Sequence, residues 1–287
     1  MFYQSSLPDS KRGNLVSALV SLTPSESKRL IAKGVAALPE IKRAKEKGLI
    51  IIARGTTNTF VAEEIMGIKI EPKSGYCRGC VVDGELRANM KRGGGNDFVL
   101  RQGKVVDIRP QEALKEFTAG DVFIKGASAV DSSGQAGVLA ANLQAGTVGY
   151  SMVTVIARGA HLIVPVGLEK VVPSVNQAAE KCGIFRYKYT TGLPCALIPL
   201  VNGKVVTEIQ ALAVLCSISA THVASGGIGG SEGTVVLALE GNEDNLEKAF
   251  ELVKLIKGEP PVPSPEETTP QASSLNYDPL ALLKTLG

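Results

Sequence analysis

Apolar positions along the chain change their period several times, and each change marks an element. Leu30, Ile31, Val35 and Leu38 recur at helical spacing behind Thr23-Pro24-Ser25-Glu26. That tetrapeptide has the order of a capping box. The threonine hydroxyl accepts from the helix start, proline fits the first turn, and the glutamate reaches back. Pro39 breaks or kinks this helix, and a charged stretch, 40–47, runs on to Gly48. Leu49-Ile50-Ile51-Ile52-Ala53 is an unbroken β-branched run, the pattern of a strand buried on both faces of a parallel sheet. The turn Arg54-Gly55-Thr56-Thr57-Asn58 follows, then a helix over 59–66 closed by Gly67.

Residues 68–109 break into short alternating runs between turn signals: Asp83-Gly84, Gly93-Gly94-Gly95-Asn96 and Gln102-Gly103-Lys104. They predict hairpins, a β-rich insertion. A short helix over 110–117 leads to a strand at 121–125 ending in Gly126-Ala127. A glycine-punctuated stretch, 134–149, precedes a helix (150–159), a strand (161–166) and a further helix (173–182). Such alternation predicts a wound, mostly parallel α/β sheet. Beyond 184 come a strand over 193–200, an Asn202-Gly203 turn, an amphipathic run over 207–216, and strands at 221–225 and 234–240 about a glycine-rich loop. A helix over 242–257 follows, with Leu246, Phe250, Val253 and Ile256 on one face. This order resembles a split βαβ unit of ferredoxin-like type. The expected organisation is an N-terminal arm (1–22), an α/β ligand-binding domain (23–182), a smaller C-terminal α+β domain (184–258) and a tail (259–287). Five prolines among polar residues at 259–274 read as a disordered linker before a short apolar segment.

Composition narrows the function classes. With 44% hydrophobic residues, 287 positions suffice for a large core or two unequal ones. A net charge of +3, no tryptophan and 5% aromatics give neither a basic face nor stacking platforms, so no nucleic-acid partner is expected. Five scattered cysteines imply reduced thiols and a cytoplasmic location. Lys11 and Arg12 before the apolar run 15–22 loosely resemble a signal peptide. A capping box follows instead of a small-residue cleavage site, so a helix start is expected there. No stretch reaches the ~18 apolar residues of a membrane span. Cys77-Arg78-Gly79-Cys80 lacks a second ligand pair, and His161 and His222 lack metal spacing, so neither metal nor cofactor is expected.

Chemistry concentrates at Gly55-Thr56-Thr57-Asn58-Thr59. A helix N-terminus offers free N–H groups and partial positive charge, glycine lets a ligand approach the backbone, and Arg54 adds charge. The alternative is an ordinary connection in which Thr or Asn caps the helix. The strand and Gly-Thr-Thr-Asn-Thr turn of 49–66 resemble the phosphate loop of ribose-5-phosphate isomerase and its superfamily, which includes glucosamine-phosphate deaminases and CoA transferases. Two further stretches resemble it: the strand 121–125 running into Gly126-Ala127, and the strand 162–166 running into Gly167-Leu168-Glu169-Lys170. The resemblance implies a homo-oligomer that binds a small phosphorylated or CoA-like anion. It also departs from the family. Lys125, Ser128 and Ala129 stand where the isomerase keeps its acids, and Lys91-Arg92-Gly93-Gly94-Gly95 comes before Gly126, not after it, so isomerase activity is not carried over.

The crevice implied for the anion takes Arg54, Gly55, Thr56, Thr57, Asn58, Thr59, Gly126, Ala127, Gly146 and Thr147 as ligand-binding residues. Asp131, Glu169 and Lys170 are the candidates for catalysis. Each has a plainer alternative. Asp131 is a substitute base or a turn former. Glu169 and Lys170 are ligand groups at the edge where wound sheets bind, or a surface ion pair. Gly146-Thr147-Val148-Gly149 is a crevice turn or a helix entry. Ser231-Glu232-Gly233, in the loop 226–233, resembles the glutamate context of CoA transferases, or is a hairpin tip or flap. The reading is an anion-binding protein, whose enzyme version is an isomerase- or transferase-like reaction with a noncanonical acid or base. The alternatives are a non-catalytic sensor or binding subunit of the same fold, and an interaction protein that uses its C-terminal tail.

Overall fold

The computed structural model describes residues 1–4, 15–91 and 97–269. In chain order its elements are β1 (Val16–Leu22), α1 (Pro24–Ala37), α2 (Pro39–Lys47), β2 (Leu49–Ile52), α3 (Thr56–Met66), β3 (Gly79–Val82), β4 (Glu85–Ala88), β5 (Phe98–Arg101) and β6 (Lys104–Val106). There follow α4 (Pro110–Ala113), β7 (Val122–Ile124), β8 (Ala129–Val130), β9 (Ala136–Ala140), α5 (Gly146–Ala157), β10 (His161–Pro165), α6 (Val175–Lys181) and β11 (Ala196–Pro199). The last are β12 (Lys204–Val206), α7 (Glu208–Cys216), β13 (Ser219–Gly226), β14 (Thr234–Gly241) and α8 (Glu243–Ile256).

The main sheet has the order β12-β10-β7-β2-β5-β6. Its first four strands run parallel, and β5 and β6 add an antiparallel hairpin at one edge. Side chains of β2 alternate between two cores, as the two-residue period of a strand requires. Ile50 and Ile52 pack with Ile31, Val35, Ile41, Phe60 and Ile65 of α1, α2 and α3. Ile51 packs on the other side with Phe117, Phe123, Met152 and Val155. Helices on both faces explain why β2 and β7 are apolar throughout, with every residue buried. The wound α/β sheet expected from the alternation of elements is present.

A second sheet, β1-β14-β13, is antiparallel and is covered by α7 and α8 through Leu22, Leu237, Leu212 and Leu246. A third, β11-β9-β8, carries α6, and β3 and β4 form a separate hairpin. Strand pairing crosses two of the expected boundaries, those near residues 22 and 183. β1, placed in an N-terminal arm, pairs along its length with β14, from Val16↔Gly241 to Leu22↔Val235. β12 sits at the edge of the main sheet, and β11 pairs with β9, although both lie beyond residue 184. Helix α1 packs against both α3 and α7, tying the two larger sheets together. A Cβ on Gly34 would stand 2.6 Å from the Cβ of Ala211, so glycine permits that approach of α1 to α7.

The local signals behave as expected. Thr23 and Glu26 form the capping box, with Thr23 N donating to Glu26 Oε2 (2.9 Å) and Glu26 N to Thr23 Oγ1 (3.4 Å). Pro39 opens α2. The proline-rich segment departs from its expectation of disorder over 259–269. Glu259 pairs with Arg29 (2.9 Å), Met90 N donates to Glu267 O (3.0 Å), and buried Thr269 bonds to Ala88 through N (2.9 Å) and Oγ1 (3.2 Å). Prolines lack N–H donors and are stiff, so this segment lies along the surface and draws its bonds from the residues between them. The expected loop Gly93-Gly94-Gly95-Asn96, most of Lys91-Arg92-Gly93-Gly94-Gly95 and the tail from 270 lie outside the described residues. Among the described residues, no helix is long and apolar enough to cross a membrane.

Candidate functional site

Parallel strands send their connections out from one edge, so loops distant in sequence become neighbours there. Here β2 leads into Ala53-Arg54-Gly55 and α3, and β7 into Lys125-Gly126-Ala127. The chain after β10 enters a 3-10 turn, Leu168–Lys170. Asn58 fastens the first two loops. Its Nδ2 donates to Ala53 O (2.6 Å) and to Ile124 O (3.2 Å), while its buried Oδ1 has no hydrogen-bond partner among the described residues. The Thr59 hydroxyl donates to Gly55 O (3.1 Å) or Lys73 O (3.2 Å). Helix α3 is preceded by Gly55 in extended conformation, and no side chain caps it. The plainer alternative of a Thr or Asn cap is therefore not what forms, and the first turn keeps its N–H groups for another acceptor.

A cavity of about 550 Å³ opens at this edge. Lys28 and Pro24 of α1, Thr56, Cys77 and Lys170 line it, and the segment 258–265 crosses it as a strap. The tip of the β13–β14 hairpin contributes Gly230 and Glu232. The loop 226–233 thus stands at the cavity, and Glu232 Oε2 accepts from Gly230 N (3.0 Å).

Three lysines gather around this edge. Lys28, largely buried, pairs with Glu169 at 3.4 Å. Lys170 Nζ donates to Ala127 O (3.2 Å) and Lys125 Nζ to Gly126 O (3.3 Å). Neither Lys125 nor Lys170 has a carboxylate at ion-pair distance among the described residues. Burial pushes the pKa of Lys28 down, and the charge of Lys170 adds to this against the pull of Glu169. Burial also pushes Lys125 down, with Asp97 opposing and Lys170 reinforcing.

The acids nearby are occupied. Glu169 folds back over Gly167, where a Cβ would lie 1.7 Å from its Oε2, and that oxygen is buried without a hydrogen-bond partner among the described residues. Glu208, fully buried at the start of α7, accepts from Leu168 N (3.0 and 3.2 Å). Burial, and then the charge of Glu169, raise its pKa to about 7. On the other side Asp97 accepts from Arg54 N (3.0 Å) and from the Tyr150 hydroxyl (2.7 Å), and stands 3.5 Å from Arg54 Nε. The Cys77 thiol is pushed up to about 11, chiefly by burial, so it stays protonated at neutral pH.

Of the residues expected from sequence, Arg54, Gly55, Thr56, Gly126, Ala127, Glu169 and Lys170 converge on this edge. Thr57, Asn58 and Thr59 are buried, and the last two are spent on holding loops together. Asp131 does not reach the cavity. Its carboxylate accepts from Ser133 N (3.0 Å), Ser133 Oγ (2.6 Å), Gln135 N (3.1 Å) and Val175 N (2.9 Å). Burial opposes ionisation there, but the Ser133 hydroxyl and three N–H groups outweigh it and hold the pKa down. It is the turn former of the two alternatives, and it also supports the start of α6. Gly146 and Thr147 form the first turn of α5, a helix entry, after Ala145 in the left-handed region. Their link to the site runs through Tyr150, one turn on.

Lys28, Glu208 and Asp97 were absent from the sequence-based set. Lys28 follows the capping box within one turn, a signal that places it at a helix start but says nothing of what that start faces. Comparison with protein-family models, with curated proteins and with solved structures gave no significant match. The likeness to the sugar-phosphate isomerase superfamily therefore rests on its three short motifs.

Proposed function

We propose that the protein binds a small anionic ligand, phosphorylated or CoA-like, in the cavity at the carboxyl ends of β2, β7 and β10. The observation that carries this reading is the placing of Lys28 and Lys170 in the cavity lining beside an uncapped helix start, with Lys125 at the same sheet edge and with no carboxylate at ion-pair distance from Lys125 or Lys170 among the described residues. A bound phosphate would relieve the mutual repulsion of these ammonium groups and accept from the first turn of α3. Its chemistry is transferase- or isomerase-like in the first version of the reading. In the second the protein is a sensor or binding subunit, and Lys125 standing at the family's acidic position favours it. We also read the β1-β14-β13 sheet with its helices as the ferredoxin-like unit, one that brings its hairpin to the cavity. Free cysteines suit a reducing cytoplasm, and the motif resemblance suits a homo-oligomer.

A thermal-shift panel of sugar phosphates, nucleotides and CoA thioesters tests the reading. A ligand at ~100 times its Kd stabilises by about 2.7 kcal/mol. The variants for comparison are Lys170→Met and Gly55→Val, each checked for an unchanged unliganded Tm; a Cβ at Gly55 meets nothing within 4 Å. Stabilisation of the wild type that both variants lose supports the site. No shift with any class, or equal shifts in all three proteins, sinks it.

A further inference from the structure

The strap across the cavity is tied at both ends and lightly held between them. At its near end Gly258 N donates to Glu26 Oε1 (2.9 Å), and Glu259 accepts from Arg29 Nε (2.9 Å) and Nη2 (3.1 Å). At its far end Lys91 pairs with Glu266, Met90 N donates to Glu267 O (3.0 Å), and Thr269 bonds to Ala88 through N and Oγ1. Over 260–265, among the described residues, one hydrogen bond holds the segment, from Ser74 Oγ to Ser264 O at a long 3.5 Å. Pro260, Pro261, Pro263 and Pro265 have no N–H to donate. The other hold is Val262, half-buried against the core of α1, α2 and α3. All of 260–265 lines the same cavity as Lys28, Lys170 and Cys77. The stretch has no charged residue, so it covers the lysines without pairing with them.

We propose that 260–265 is a gate: Val262 leaves its seat, the middle of the strap lifts while both ends stay tied, and a small anion reaches Lys28 and Lys170 through the opening. What passes rests on the anion-binding reading above; the opening itself does not. Proline stiffness makes the stretch swing as an arm instead of melting. Two fixed ends return it to the same seat, because closing so short a loop costs little entropy. The latch is apolar and the groups beneath are cationic, so the closed gate and a bound anion do not compete for the same contacts.

Cys77 reports the gate without any ligand. It is buried, lines the cavity and lies three residues past Ser74, which bonds the strap. Cys216 is buried in the separate core under the β1-β14-β13 sheet and reports global unfolding. The full-length protein is labelled with N-ethylmaleimide in urea below the unfolding transition, and peptide mapping gives both rates. In the wild type the Cys77 rate is expected to be nearly independent of urea, since a local opening exposes little surface, and the Cys216 rate to rise with it. Val262→Ser removes a contact that the open state lacks, and is expected to speed Cys77 about tenfold, the worth of a half-buried valine. Leu246→Ala removes a contact in the Cys216 core that the open state keeps, and is expected to speed Cys216 and leave Cys77 unchanged. A Cys77 rate with the urea dependence of Cys216 overturns the gate, as does a Cys77 rate that Leu246→Ala raises. A urea-independent rate that Val262→Ser leaves unchanged overturns it too, because the reagent then enters by another route. None of these outcomes involves an anion, so the thermal-shift panel decides the binding reading separately.

Discussion

Asn58 separates a structural role from a ligand role at the heart of the site. Its amide donates to two buried carbonyls, but they do not depend on it equally. Ile124 O also accepts from Ala53 N (3.0 Å), so Asn58→Ala leaves it satisfied. Ala53 O, at 2.6 Å from the amide, would be the orphan. One orphaned buried carbonyl costs about 1–3 kcal/mol. The small void left by the amide brings the loss to roughly 2–3 kcal/mol. For a chain of this size that is a fall in Tm of about 4–6 °C. Asn58→Asp is the sharper form of the test. It keeps the shape but turns a carboxylate towards two acceptors. The carboxyl buried by this substitution would have a pKa raised above its unfolded value. The folded state then holds a proton that the unfolded chain releases, so stability is lost as pH rises and recovered on acidification. The variant should be less stable than Asn58→Ala at pH 7.5 and should close that gap as pH falls towards 5. Urea denaturation across this pH range reads both. An Asn58→Ala loss below about 1 kcal/mol, with no pH trend in Asn58→Asp, would refute the account of the clamp.

Two other expectations follow from buried contacts. Glu208, raised to about 7, is protonated in the folded state and ionised in the unfolded one between its unfolded pKa and neutrality. The wild type should therefore lose stability relative to Glu208→Gln as pH rises through that window and stay parallel to it above, measurable as a difference in urea midpoints; parallel curves throughout would contradict the burial argument. Gly34→Ala places a Cβ 2.6 Å from that of Ala211 and should cost roughly 1–3 kcal/mol despite the better helix propensity of alanine, so a stabilised variant would mean that α1 and α7 can part freely.

Features decided within a few residues were legible in the sequence. The capping box at Thr23–Glu26 needs only its own four residues, and β2 announced its two-sided burial by four consecutive apolar positions. The edge where the site lies was legible through the ends of its strands, because wound sheets gather their connections there. Partners that depend on distant chain were not. The pattern of β1 says that alternate positions are buried, but not that β14 buries them. Asn58 looked like a ligand donor because nothing local shows that its amide closes on Ile124. Asp131 looked like a possible base for the same reason; the N–H of Val175 that helps occupy it lies past β9, α5 and β10. Lys28 and Lys125 lie on different elements, and their grouping with Lys170 exists only once α1 is set against the sheet edge.

The pairing of β1 with β14 imposes a schedule on synthesis. Val16 leaves the ribosome early and waits for Gly241. At about 5–20 residues per second the delay is roughly 10–45 s. Through that time Val20 and Leu22 have no sheet to bury them, although α1, the main sheet and β12 can already have formed. The hairpin that brings Gly230 and Glu232 to the cavity grows from the same pairing. The lysine-bearing edge is therefore built first and its mouth last, so that a nascent chain presents an open edge before it presents a finished cavity.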